Sequence, residues 1–120
     1  MINIINWFEL PVNNFRRAKE FYENVLEITL IEMEFDGTKS LVFPFDGINV
    51  SGALVKNQSG EPNQTTILYF NAGEKLSFAL ERVKENKGII VLETTQIKSG
   101  FISQVLDSEG NKIGLFSLLA

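Results

Sequence analysis

From residue 2 to residue 11 apolar side chains alternate along the chain, with Ile4, Phe8 and Leu10 on one side and Ile5, Trp7 and Glu9 on the other. This two-residue period predicts a strand, closed by Pro11. Asn13 or Asn14 then offers a side-chain oxygen to cap a helix. Phe15, Ala18, Tyr22, Val25 and Leu26 follow at helical spacing, while Arg16, Arg17, Lys19, Glu20 and Glu23 read as a solvated face. Three strand-like runs come next, over residues 28–35, 40–45 and 49–55. Asp36-Gly37 and Asp46-Gly47 separate them, and both are pairs suited to hairpin turns.

The polar stretch "NQSGEPNQ", residues 57–64, reads as a linker because it carries Gly and Pro and no apolar period. Beyond it the pattern starts again. Residues 65–71 alternate as a strand, and residues 74–86 place Leu76, Ala79, Leu80 and Val83 on one helical face, with Gly88 as an expected C-cap. Residues 89–95, 101–106 and 112–118 read as strands, with "DSEGN" as the turn before the last. The chain is thus strand-helix-strand-strand-strand written twice: a single domain, 1–120, with a first βαβββ module over 1–56 and a second over 65–120. The expected class is α+β, the two modules forming a curled mixed sheet with helices on one face.

Composition narrows the partners. The 120 residues carry a net charge of -4, which disfavours nucleic acid, since phosphate binding requires a basic footprint. No apolar run approaches the ~20 residues needed to cross a bilayer. No leader-like segment opens the sequence, so the expected location is cytoplasmic. The absence of Cys removes disulfides, a thiolate nucleophile and sulfur-ligated zinc; the absence of His removes the commonest general base and metal ligand. Ten Phe and 44% apolar residues suffice for a substantial core.

Two stretches carry a family resemblance: "WFELPV" with "RAKEFYENVL" in the first module, and "LDSEGNKIGLF" in the second. The latter is similar to the D-P-x-G-N/Y-x-I/F-x-L signature of the vicinal oxygen chelate superfamily, which includes glyoxalase I, extradiol dioxygenases and bleomycin-resistance proteins; Ser108 stands where Pro is usual. The resemblance covers the whole chain and implies the glyoxalase/bleomycin-resistance/dioxygenase-like fold and a homodimer. In metal-using relatives the ligands come from the first and last strand of each module. Carried over, those positions fall on Trp7, about Ser51, about Ile67, and Gly114. None of these side chains can replace imidazole or carboxylate at a divalent ion. The expectation is therefore no metal site and no cofactor.

Strand parity places Trp7 and Glu9 on the face of the implied ligand positions, together with Ser51, Ile67, Tyr69, Gly114 and Phe116. Mostly apolar and aromatic, with a few polar atoms, this set has the composition of a small-molecule pocket. Gly114 and Ser51 are expected to leave open volume. Glu9 reads as a solvated rim carboxylate, as a hydrogen-bond anchor, or as a general base raised by apolar surroundings. Trp7 reads as a core-filling ring or as a stacking wall. The leading function is a metal-independent protein holding an apolar or aromatic small molecule. The alternative is a glyoxalase-type lyase, isomerase or dioxygenase, using Glu9 or a metal site that is not inherited.

Overall fold

The computed structural model describes residues 3–35 and 37–120, the side chain of Phe35 excepted. Among these residues run β1 (Trp7–Val12), α1 (Phe15–Leu26), β2 (Ile31–Phe35), β3 (Thr38–Val42), β4 (Ser51–Lys56), β5 (Tyr69–Asn71), α2 (Leu76–Glu85), β6 (Ile89–Ile97), β7 (Gly100–Leu106) and β8 (Lys112–Ser117). The α+β class and the repeated element order are as expected. The strands divide into two four-stranded mixed sheets, ordered β1-β4-β3-β2 and β5-β8-β7-β6. In each, the outer strand before the helix runs parallel to the module's last strand, and the other neighbours are antiparallel.

Several strands are shorter than periodicity predicts, because side chains take over the backbone's hydrogen bonds. The Leu30 amide donates to the Glu23 carboxylate at 2.9 Å, so residues 28–30 stay outside the ladder. Asn63 hooks the stretch before β5: its amide donates to Asn111 Oδ1 at 2.7 Å and its side chain to the Thr66 carbonyl at 2.8 Å. The chain leaves β3 near Pro44, which has no N–H for a ladder. It turns on Asp46, whose carboxylate accepts from the Ile48 and Asn49 amides, both at 2.8 Å. Asp36, half of the other predicted turn, lies outside the described residues. Gly88 is not the left-handed cap expected of it; Lys87, at φ 72°, takes that conformation. Gly88 is required instead for close packing, since a Cβ there would stand 2.8 Å from the Phe21 ring and 2.9 Å from the Leu106 carbonyl.

One core serves both modules. Leu10, Leu41 and Leu54 of the first sheet meet Val105, Ile113 and Leu115 of the second around the buried faces of α1 and α2. At the centre, the Phe8, Phe43 and Phe70 rings and Tyr22 lie with centroids 5.3 to 5.8 Å apart. Each such side chain contributes roughly 1.5–3 kcal/mol on burial. Both sheets spend their inner faces on this core, so their outer faces are turned away from it.

The turn 107–111 clasps the modules together. Asp107 accepts the Tyr22 hydroxyl at 2.5 Å and the amides of Glu109 and Asn111 at 2.8 and 2.9 Å. Asn111 donates to the Pro11 carbonyl at 2.7 Å. Glu109 accepts from the Asn13 and Asn14 amides, at 2.8 and 2.9 Å, and from Arg17 Nε at 2.6 Å. Arg17 therefore does not belong to a solvated face as its helical position suggests; its guanidinium reaches back across the helix start to a buried carboxylate. Arg16 does stay in water, 3.8 Å from Glu20. Asn14 supplies the N-cap, accepting from the Arg17 amide at 3.0 Å.

Two open sheet faces as the candidate site

The seven residues singled out from sequence do not gather in one place within a single chain. Trp7, Glu9 and Ser51 lie on the outer face of the first sheet, and Tyr69, Gly114 and Phe116 on the outer face of the second. Ile67 precedes β5 and is half-buried. Register shows why the carry-over stopped two residues short. Trp7 pairs with Ser51, and the matching pair in the other module is Tyr69 with Gly114. Tyr69, not Ile67, is thus the counterpart of Trp7, and Asn71 that of Glu9.

Each pair sets an aromatic beside a small residue, yet neither leaves the open volume expected. A Cβ on Gly114 would overlap the Tyr69 ring, so that ring already occupies the space. Ser51 is buried, its one hydroxyl hydrogen shared between the Phe43 and Pro44 carbonyls at 3.1 and 3.0 Å. Trp7 is half-buried and meets the Phe45 ring edge-on at 5.6 Å.

Two hollows border these residues, with opposite chemistry. On the first sheet, a hollow of about 410 Å³ is lined by Glu9, Thr38, Ser40, Val55, Lys56 and Gln58. Glu9 is exposed there, with Thr38, Ser40, Lys56 and Gln58 as its polar neighbours. On the second sheet, a hollow of about 390 Å³ is lined by Tyr69, Asn71, Ile97, Ile102 and Phe116. Tyr69 is 47% exposed and its hydroxyl accepts from Gln104 Nε2 at 2.7 Å. Ile97, Ile102 and Gln104 were missed in the sequence, although Ile102 and Gln104 share the parity that brings Phe116 to this face.

The strongest electrostatic perturbations lie elsewhere, in the clasp. Burial pushes the Asp107 carboxyl above the usual range, against the Tyr22, Glu109 and Asn111 donors that favour its charged form. Burial also raises Tyr22, and the adjoining Asp107 charge adds to it. For Glu109 burial acts upward too, but the donors from Arg17, Asn14, Asn13 and Ser108 prevail and hold it below the ordinary value. These groups are enclosed by the module interface and border neither hollow; their arrangement is that of a structural joint.

A sequence profile described as Glyoxalase/Bleomycin resistance protein/Dioxygenase superfamily matches residues 4–115. The chain belongs to this superfamily. No curated protein matches it. Solved structures do. An antibiotic binding protein, TnmS3 from Streptomyces sp. CB03234, is 21% identical, with 98% of this chain and 97% of that chain covered and a TM-score of 0.70. The fosfomycin resistance protein FosX from Listeria monocytogenes is 16% identical, with coverage of 98% and 91% and a TM-score of 0.72. A glyoxalase-related enzyme from Fulvimarina pelagi is 12% identical, with coverage of 97% and 88% and a TM-score of 0.71. At such identities these likenesses establish a shared fold.

The superfamily's divalent ion does not fit this chain's residues. The positions that the resemblance implies, with Tyr69 replacing Ile67 by register, hold Trp7, Ser51, Tyr69 and Gly114: two rings, a hydroxyl already bonded to backbone, and no side chain at all. Among the described residues, no three Asp, Glu, His or Cys side chains stand close enough to form a substitute site. Nor is any helix of these residues long and apolar enough to cross a membrane.

Proposed function

We propose that the chain is a metal-independent binding protein that holds a small apolar or aromatic molecule against the outer face of its second sheet. The observation that carries this reading is the apolar hollow of about 390 Å³ beside Tyr69, Asn71 and Phe116, within the size range of small-molecule sites. That an antibiotic binding protein and a fosfomycin resistance protein share the fold supports it.

The binding unit is a homodimer. One chain turns its two outer faces away from each other, and both carry exposed apolar side chains: Ile31 and Met33 on the first, Ile89, Leu92 and Ile97 on the second. Seating the first sheet of one copy over the second sheet of another buries these residues together. It also brings Trp7 and Glu9 toward the partner's hollow, closing a cup from the residues that a single chain separates.

Metal analysis of the purified protein, a thermal-shift panel of small aromatic compounds and antibiotics, and sedimentation together test the reading. Substoichiometric metal, raised melting temperature with at least one aromatic compound, and a dimer are expected. Stoichiometric transition metal in the purified protein would overturn it. Turnover remains as a second reading because of one observation: Glu9 shares its hollow with the Lys56 ammonium and the Ser40 and Thr38 hydroxyls. A Glu9→Gln variant that slows conversion of a bound compound without weakening its binding would favour an enzyme.

A further inference from the structure

The hollow on the second sheet has a more specific chemistry than its apolar walls suggest, and the row Tyr69–Gly114–Gln104 provides it. These residues sit side by side on β5, β8 and β7, since Tyr69 pairs with Gly114 and Gly114 with Gln104. A glycine in the middle lets the Tyr69 ring cross the β8 backbone; any Cβ would push it off. At the far side the Gln104 amide donates to the phenol oxygen at 2.7 Å. The ring is thus fixed at both ends while the residue stays exposed and lines the hollow. A phenol oxygen that accepts one hydrogen bond still carries its own hydrogen, which needs an acceptor. Of the other walls, Ile97, Ile102 and Phe116 offer none from their side chains, Asn71 adds one amide that can accept or donate, and the set contains no charged side chain.

We infer that this face selects a flat, uncharged ring system bearing a hydrogen-bond acceptor, such as a carbonyl oxygen, at its rim. The inference rests on the binding role proposed above. The exposed Tyr69 ring and the half-buried Phe116 ring supply stacking surface, and the tethered phenol donates to the acceptor. A carboxylate or an ammonium group entering the same space would lose hydration without gaining a counter-charge from these walls, and the Glu9 that a second copy brings near shares its own hollow with Lys56.

Four probes sharing one ring system separate these contributions: 2-acetylnaphthalene, which has an acceptor; 2-methylnaphthalene, which has none; 2-naphthoate, an anion; and 2-naphthylmethylammonium, a cation. Titration is followed by NMR through the Gln104 side-chain amide and the Phe116 backbone amide, in wild type and in Tyr69→Phe. The acetyl compound should bind most tightly. Tyr69→Phe, which keeps the ring, should weaken it by about three- to tenfold, the worth of one hydrogen bond, and leave the methyl compound unchanged. Equal binding of all four, or an acetyl affinity indifferent to Tyr69→Phe, would overturn the selectivity and leave the holding role standing. If none of the four moves either signal, the holding role falls with it.

Discussion

Replacing Glu109 by alanine tests whether the 107–111 turn clasps the two modules. The buried carboxylate accepts two backbone amides, from Asn13 and Asn14, and two guanidinium contacts from Arg17 at 2.6 and 3.1 Å. Each amide hydrogen bond contributes about 1 kcal/mol net, so losing both costs about 2 kcal/mol. The ion pair adds about 1–2 kcal/mol; Arg17 is half-exposed and regains water, which keeps it below the 3–5 kcal/mol seen for fully buried pairs. The expected loss is therefore about 3–4 kcal/mol. A domain of this size holds about 6–18 kcal/mol in all, so the variant should fold but melt roughly 10–15 °C lower. Glu109→Gln keeps an acceptor oxygen for the amides and should lose about half as much. Urea titration measures these values, and a double-mutant cycle with Arg17→Met should return a coupling of about 1–2 kcal/mol. Hydrogen exchange at Asn13 and Asn14 should accelerate in the alanine variant. A loss under about 1 kcal/mol, or unchanged protection at those amides, would refute the assignment of the clasp.

The same turn makes stability respond to acid in two directions. Asp107 is raised in the fold, so its contribution grows as pH falls through its folded value; Glu109 is lowered, so its contribution persists until pH drops below about 4.3 and is then lost. Glu23, held down chiefly by the Leu30 amide, acts in the same sense as Glu109. Melting temperature should thus hold or rise on mild acidification and then fall, with the acid limb shallower in Glu109→Gln; an identical limb in that variant contradicts the assignment. Gly114→Ala should evict the Tyr69 ring, cost about 1–3 kcal/mol by overpacking and break the contact with Gln104, visible as a shift of the Gln104 side-chain amide. Ile31→Lys, on an exposed position of the first sheet, should weaken self-association in sedimentation while leaving the monomer's unfolding free energy within about 0.5 kcal/mol of wild type. A dimer indifferent to that charge would place the interface elsewhere.

Much of the fold is legible because local periodicity and tertiary packing agree. The apolar stripe of α1 in sequence is the stripe buried in the core, and parity on β1, β4 and β8 puts Trp7, Ser51 and Gly114 on outer faces. What escaped reading is long-range. No local pattern says that Arg17 will turn to a carboxylate 92 residues away, or that Asn63 and Asn111 will replace the first rungs of β5. Parity likewise assigns residues to a side of a strand but not that side to a common cleft. Trp7 and Tyr69 share a role in their modules and stand on opposite surfaces of the molecule. The glycine at 114 was legible as missing bulk; that a neighbouring ring fills the gap depends on a cross-strand rotamer that spacing does not specify.

The signature that identifies this chain, Asp107 to Asn111, forms a buckle between halves and touches nothing that either exposed surface presents to a visitor. Cargo preference and skeletal integrity are thereby written in separate letters of the chain. Sorting proteins by that buckle groups them by how they are held together, and leaves what they carry to be read from the few side chains that cross the outer strands.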